Sequence, residues 1–212
     1  MCAHKKTFLS VFAFQFFSIF AWANSNALTI EQRHARLSNN AVIAVVEKIM
    51  GINHFSRGAQ NTEVGSKKPF AMGFKFFEKD RIFTEKSRAH TRYKDGTFLE
   101  LAEDSSIECE KMRFKNGDDL DEATFRFYYG LARFVAPNIT AKQRFTVKTA
   151  NALMLILEPS EFFIVQAPGQ RDLELAVLRG KVEFINIITN ERLAVGPGSH
   201  ALLKVTGAVV AQ

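Results

Sequence analysis

The chain has 212 residues, of which 47% are hydrophobic and 24% charged, with a formal net charge of +6. That length and composition suit one domain or two small ones, and exclude a disordered or low-complexity chain. The positive balance is too mild, and its basic residues too scattered, for a nucleic-acid partner.

Lys5 and Lys6 open the chain with positive charge, and no charge follows from Thr7 to Ala23. Phe8, Phe12, Phe14, Phe16, Phe17 and Phe20 make that stretch strongly apolar. Ala21-Trp22-Ala23 then gives the small-x-small pattern of a signal-peptidase site, with Ser25-Asn26-Ala27 as a second candidate. Residues 1–23 are therefore expected to be a helical, cleavable signal peptide, cut after Ala23 or Ala27. The expected location is periplasmic or secreted. The rival reading is an uncleaved anchor, but the apolar part is shorter than the roughly 20 residues a span requires. Ser10, Gln15 and Ser18 dilute it further. No second apolar run of spanning length follows, so no stable membrane span is expected after cleavage. Loss of Lys5 and Lys6 lowers the net charge by two. Cys2 leaves with the signal, and Cys109 alone remains, so no internal disulfide is expected. A lone exported cysteine could be a reactive thiol; packing as a small apolar residue on a strand is the favoured reading.

Residues 24–40 read as an N-terminal leader segment and residues 41–212 as an all-β domain. Ala41 to Met50 places Val42, Val45, Val46 and Ile49 on one helical face, but its branched residues and Gly51 favour a strand. Residues 51–68 are polar with three glycines and are expected to form a loop or irregular connection. Ala89, Thr91 and Tyr93 alternate with His90, Arg92 and Lys94, the two-residue period of a strand with two distinct faces. Asp95-Gly96 interrupts the run and Thr97 to Leu101 resumes it, which predicts a hairpin in which both turn residues tolerate positive φ. Lys115 to Glu122 is the one local charge cluster and a possible internal break. Phe125, Phe127 and Tyr129 repeat the strand period just before Gly130. Further apolar runs follow at Phe145–Val147, Leu153–Leu157, Phe162–Val165, Leu173–Leu178, Val182–Ile188, Leu193–Val195, Ala201–Val205 and Ala208–Val210. Turn residues separate them, which describes many short strands in a sandwich, a barrel or a stacked, solenoid-like domain. Gly96, Gly180 and Gly196 are expected at strand reversals with left-handed backbone, as fold-defining rather than site residues.

Asp80-Arg81-Ile82-Phe83-Thr84, then Ser87-Arg88-Ala89 and Asp95-Gly96-Thr97-Phe98-Leu99-Glu100-Leu101, resemble the ordered motifs of the FecR domain. Ser105-Ser106-Ile107 is similar to that family's next strand, and Gly130-Leu131-Ala132-Arg133-Phe134-Val135 to its "G-x-x-R-x-V" segment. Phe145-Thr146-Val147-Lys148-Thr149, Val177-Leu178-Arg179-Gly180-Lys181-Val182 and Val195-Gly196-Pro197-Gly198 continue the series to roughly residue 205. One stretch departs: where the family usually has Gly-x-Arg-Gly-Thr, this chain has Glu158-Pro159-Ser160-Glu161. Proline fixes φ and donates no hydrogen bond, so that turn must take another geometry. The resemblance implies a module that relays ligand status in the cell envelope, with an envelope protein as partner. The family's iron-sensing regulators need a cytoplasmic arm and a membrane span. With four residues before Lys5 and its apolar segment expected to be removed, this chain is expected to be the exported domain on its own.

A search for chemistry yields no catalytic, cofactor-binding or metal site. His34, His54, His90 and His200 are scattered without ligand spacing, and Cys109 has no nearby partner. No nucleophile elbow, phosphate loop or dinucleotide fingerprint is present. Asp118, Asp119, Asp121 and Glu122 invite a calcium reading, but Gly117 precedes the acids and Leu120 splits them, so a solvated charged loop is expected. Phe125, Phe127, Tyr128, Tyr129 and Phe134 could line a ligand groove, although a two-residue period more often marks core. The leading expectation is a non-enzymatic envelope binding module acting in protein–protein interaction or signalling, with exposed strand edges open to a partner strand. The alternative is a periplasmic small-molecule or polysaccharide-binding protein.

Overall fold

The computed structural model describes residues 42–57, 67–115, 119–204 and 209–211. The expected signal peptide, the leader segment and His34 lie outside these residues, as does Asp118. Within the described residues the chain is all-β, with seventeen strands. β1 (Ala44–Met50), β2 (Asn53–Ser56), β3 (Lys68–Phe70) and β4 (Lys75–Phe76) come first. They are followed by β5 (Arg81–Thr84), β6 (Arg88–Tyr93), β7 (Phe98–Leu101) and β8 (Ser105–Phe114). The longest strand is β9 (Leu120–Ala136). Four hairpins complete the chain: β10 (Arg144–Lys148) with β11 (Ala152–Ile156), and β12 (Ser160–Gln166) with β13 (Leu173–Arg179). Then come β14 (Val182–Asn186) with β15 (Arg192–Val195), and β16 (Ser199–Leu203) with β17 (Val209–Ala211).

Pairing resolves the choice of architecture in favour of a sandwich of two sheets that share β9. The first sheet runs β4-β1-β6-β7-β9-β12-β13-β16-β17. The second runs β3-β2-β5-β8-β9-β10-β11-β14-β15. All pairs are antiparallel except β9 with β10. After β9 successive hairpins are laid alternately on the second and first sheets, each pairing with an earlier strand. The stacked growth expected of a solenoid is thereby realised within a sandwich.

The pivot is Gly130. Up to Phe127, the odd-numbered residues Ala123, Phe125 and Phe127 face the core from the second sheet. Beyond it the even-numbered Ala132, Phe134 and Ala136 face it from the first. A strand alternates faces every residue, so the change of parity requires a local break in the pleat. Gly130 supplies it with φ of +103°, and a Cβ there would lie 2.2 Å from Ser105 Oγ and 2.4 Å from Ser105 Cα. Only glycine fits this approach. Ser105 Oγ accepts a 3.0 Å hydrogen bond from Leu131 N, satisfying the amide that the turn exposes.

Between the sheets lies an aromatic core. Tyr93 meets Phe125 edge-on at 4.9 Å, Phe125 meets Phe134 at 5.3 Å, and Phe134 stacks on Phe162 at 5.2 Å and 11°. Each fully buried ring contributes roughly 2–3 kcal/mol of transfer free energy. β6 buries Ala89, Thr91 and Tyr93 on one face, as its alternation predicts. The following turn departs from the expected two-residue form: Tyr93 N donates to Thr97 O at 2.8 Å across the three residues Lys94, Asp95 and Gly96, and Gly96 alone takes positive φ, at +88°. Asp95 instead accepts from Thr97 N at 3.0 Å and from Thr97 Oγ1 at 2.7 Å.

Three expectations are corrected. Residues 51–68 are not simply a loop, because β2 lies within them and β3 begins at Lys68. Its buried residues include the polar Asn53 and Ser56, so no apolar period marks it. Gly96 and Gly180 have left-handed backbone, but at the third reversal that role falls to Gly198, with φ of +74°, and not to Gly196. Of the Lys115–Glu122 charge cluster, Asp121 and Glu122 lie on β9 rather than in a loop, Lys115 N donates to Asp119 O at 2.9 Å, and Phe114 pairs with Leu120.

Candidate functional site

With the inward positions given to the core, recognition chemistry falls to the outer faces of the two sheets. On the first sheet, register lines up one residue per strand across six strands: His90, Glu100, Arg133, Phe163, Ala176 and His200. Arg133 is the hub of this row. Its Nη1 donates to Glu100 Oε2 at 2.9 Å, and Nε and Nη2 donate to Glu161 Oε1 at 3.0 and 2.5 Å. Its guanidinium carbon lies 5.9 Å from the Phe163 ring centre. Burial works against its charge, but the hydrogen bonds to Glu100 and Glu161 outweigh that and raise its pKa. His90 sits 3.7 Å from Glu100 Oε1 and packs edge-on to Phe98 at 5.6 Å. Burial pushes the His90 pKa below its ordinary value, against the pull of Glu100. Beside the row Arg92 reaches Glu47 at 3.3 Å and Gly96 O at 3.0 Å.

The outer face of the second sheet is also laced with ion pairs. Glu110 receives Arg126 and Lys148; burial alone would raise its pKa, but the bonds from Lys148 and Arg126 bring it below the ordinary value. Glu122 lies 2.5 Å from Lys111 and 3.4 Å from Arg144, and Asp121 lies 3.0 Å from Lys115. Asp121 and Glu122 of the acidic cluster are thus drawn into lysine and arginine pairs, while Asp119 Oδ1 accepts from Gln143 Nε2 at 3.3 Å. Among the described residues no group of three or more His, Cys, Asp and Glu side chains converges on a metal position.

The other residues singled out in the sequence are dispersed. Phe125, Phe127 and Phe134 are core, whereas Tyr128 and Tyr129 stand partly exposed, so the aromatic set does not line one groove. Cys109 is buried on β8, and burial pushes its thiol pKa well up. His54 Nδ1 lies 3.7 Å from Glu85 Oε1 on the second sheet, whereas His90 is on the first. Sequence reasoning missed the Arg133–Glu100–Glu161 cluster; its one trace was the arginine of the "G-x-x-R-x-V" segment.

The family model described as FecR protein matches residues 80–183. Over those residues, just under half of the chain, it is similar to a FecR domain. Two crystal structures of a Parabacteroides distasonis protein, provisionally described as an anti-sigma factor, share the fold with TM-scores of 0.51 and 0.50. Identity is 17% in both, over 62% and 61% of this chain and 58% and 57% of theirs. The chain thus spans under three fifths of that protein's length, and the likeness is one of fold. No curated protein matches the chain.

Within the FecR-like stretch the motif residues hold the sandwich together. The Asp80 carboxylate, with none of its side chain exposed, accepts Arg57 at 2.7 and 2.8 Å and the Phe77 amide at 2.9 Å. Thr84 Oγ1 donates to Ala102 O at 2.5 Å and accepts from Ser105 N at 2.9 Å, clipping β5 to the start of β8. Ser87 Oγ donates to Asn53 Oδ1 at 2.7 Å, and Asn53 Nδ2 donates to Arg88 O at 3.2 Å. These bonds satisfy polar groups that would otherwise be costly to bury. At the divergent turn, Ser160 Oγ donates to Glu158 O at 2.8 Å, and Gly180 leaves room for Pro159 O.

Proposed function

We propose that this chain is an exported, non-enzymatic FecR-domain module of the bacterial cell envelope that binds a protein partner in signalling. The observation that carries the reading is the FecR match over residues 80–183, set beside the shared fold of a protein provisionally described as an anti-sigma factor. Export rests on the signal-like residues 1–23 of the sequence.

The geometry favours faces over edges for recognition. The outermost strands β4, β3, β15 and β17 have two, three, four and three residues, and β3 carries Pro69, which cannot donate to a partner strand. The His90–Glu100–Arg133–Phe163 row is broader, and its side chains are fixed by mutual contacts. A surface whose side chains are already ordered loses less entropy on binding.

The test is cell fractionation followed by affinity capture with the tagged chain, comparing wild type with Arg133→Glu. The expected result is a periplasmic or secreted protein that retains a specific partner, with retention lost in the variant. Retention of the chain in the cytoplasm, or failure to capture any partner under mild conditions, would overturn the reading.

A further inference from the structure

Five arginines of the described residues are partly buried: Arg81, Arg88, Arg92, Arg126 and Arg133. Four of them face a carboxylate, on Glu103, Glu47, Glu110 and Glu100 respectively. Arg81 has none within ion-pair distance among the described residues. It stands on the outer face of β5, opposite Glu108 of β8. Its guanidinium carbon lies 3.5 Å over the Tyr128 ring centre and 4.7 Å from that of Phe83. Nε donates to Ser106 Oγ at 2.8 Å. The two terminal nitrogens make no hydrogen bond among the described residues, and neither is sealed from solvent.

The nearby acid is engaged elsewhere, because Glu108 Oε2 accepts the Tyr128 hydroxyl at 2.8 Å. Burial and that bond push the Tyr128 pKa up to about 12, so the phenol stays a neutral donor. Burial lowers the Arg81 pKa, outweighing the pull of Tyr128, Tyr129 and Glu108. Arg81 is therefore a planar fork held by stacking, with both terminal donors open. Such a fork matches a carboxylate in geometry and charge.

We propose that Arg81, held against Tyr128 and Phe83 on the outer face of the second sheet, docks a carboxylate from an acidic segment of a partner protein. Lys67, whose Nζ is 4.7 Å from the Phe83 ring centre, already lies 3.9 Å from Glu85, so Arg81 is the one cation of this group without an ion-pair partner among the described residues. That suits a monoanion. A phosphate dianion would lack a second unpaired cation here, and the described residues provide no helix N-terminus to stand in for one. Arginine and tyrosine are also the residues that most often dominate protein interfaces. The choice of a protein as bearer of the carboxylate rests on the binding-module reading above.

The test uses the purified chain, a labelled ten-residue peptide alternating glutamate and glycine, the same peptide with glutamine, and inorganic phosphate. The glutamate peptide is expected to shift the Arg81 Nε–H resonance in a two-dimensional NMR spectrum while leaving that of Arg133 in place. Arg81→Gln should weaken binding by about fivefold or more, the scale of one charged contact. Arg81→Lys should fail to restore it, because lysine keeps the charge and loses the fork. Equal binding by the glutamine peptide, saturation by phosphate at lower concentration, or unchanged affinity of Arg81→Gln would each overturn the proposal. The wild-type titration stands even if a variant folds poorly. Failure of the peptide alongside successful capture of an envelope partner would remove this site only, whereas absence of any partner would bear on the module reading.

Discussion

Replacing Gly130 by alanine tests the pivot on which the two sheets depend. Alanine at φ +103° meets backbone strain of about 1–2 kcal/mol. Its Cβ would also lie 2.2–2.5 Å from Ser105 Oγ, Cα and Cβ, and crowding of that kind costs about 1–3 kcal/mol. The sum is about 2–5 kcal/mol, with a fall in Tm of about 2–4 °C for each kcal/mol in a protein of this size. Gly73→Ala is the control, since Gly73 has φ of +82° but nothing within 4 Å of the added carbon. It should cost only the backbone share, about 1–2 kcal/mol. Urea unfolding of both variants separates strain from contact. Removing the Ser105 side chain should not rescue Gly130→Ala, because Ser105 Cα itself stands 2.4 Å from the new carbon. If Gly130→Ala proved no more costly than Gly73→Ala, the close approach of β9 to Ser105 would be wrong.

Asp80→Ala should cost about 3 kcal/mol, the low end for a broken buried pair because Arg57 is half exposed, and urea unfolding measures it; a loss below 1 kcal/mol would deny Asp80 its structural role. His90 gives a pH signature. In the unfolded chain it protonates near pH 6.5, while burial keeps the folded residue neutral to lower pH. Acidification through pH 6.5 therefore protonates the unfolded chain first, and stability falls until the folded His90 also takes up its proton. His90→Gln should flatten the dependence of the urea midpoint on pH between 7.5 and 5, and an unchanged slope would count against this account.

Much of the fold was legible because strands advertise one buried face. The alternation of Ala89, Thr91 and Tyr93 against His90 and Arg92 is the burial pattern of β6 itself. The short apolar runs after Phe145 coincide with β10 to β17 because each hairpin needs its own apolar face and its own turn residues. β2 was hidden for the converse reason: Asn53 is buried with its amide satisfied by Ser87 and Arg88, so polarity there does not mean exposure. The crossing of β9 was present as an odd spacing between Phe127 and Phe134 around a glycine. Without the pairing of β9 to β8 on one side and β12 on the other, that spacing has no meaning. The Arg133 cluster and the open Arg81 fork depend on register between strands, joining residues 33 (Glu100 and Arg133), 28 (Arg133 and Glu161) and 25 (Arg81 and Ser106) positions apart in sequence, which no local period reveals.

The motif residues fall on both sides of the strands. In Asp80-Arg81-Ile82-Phe83-Thr84, Asp80 and Thr84 hold buried polar contacts and Ile82 enters the core, while Arg81 and Phe83 point to the outer face. In Gly130-Leu131-Ala132-Arg133-Phe134-Val135, Gly130, Ala132 and Phe134 make the crossing and the core, and Arg133 organises the outer row. The inward positions carry the sandwich, whereas Arg133, itself a motif position, stands on the outer face. The outward positions are free to vary without disturbing the core, since a strand's two faces are decoupled by the pleat. Under the proposed binding role, specificity for a partner is expected at Arg81, Tyr128, Glu100 and Arg133, where a substitution changes what the surface offers and leaves the buried aromatic packing intact.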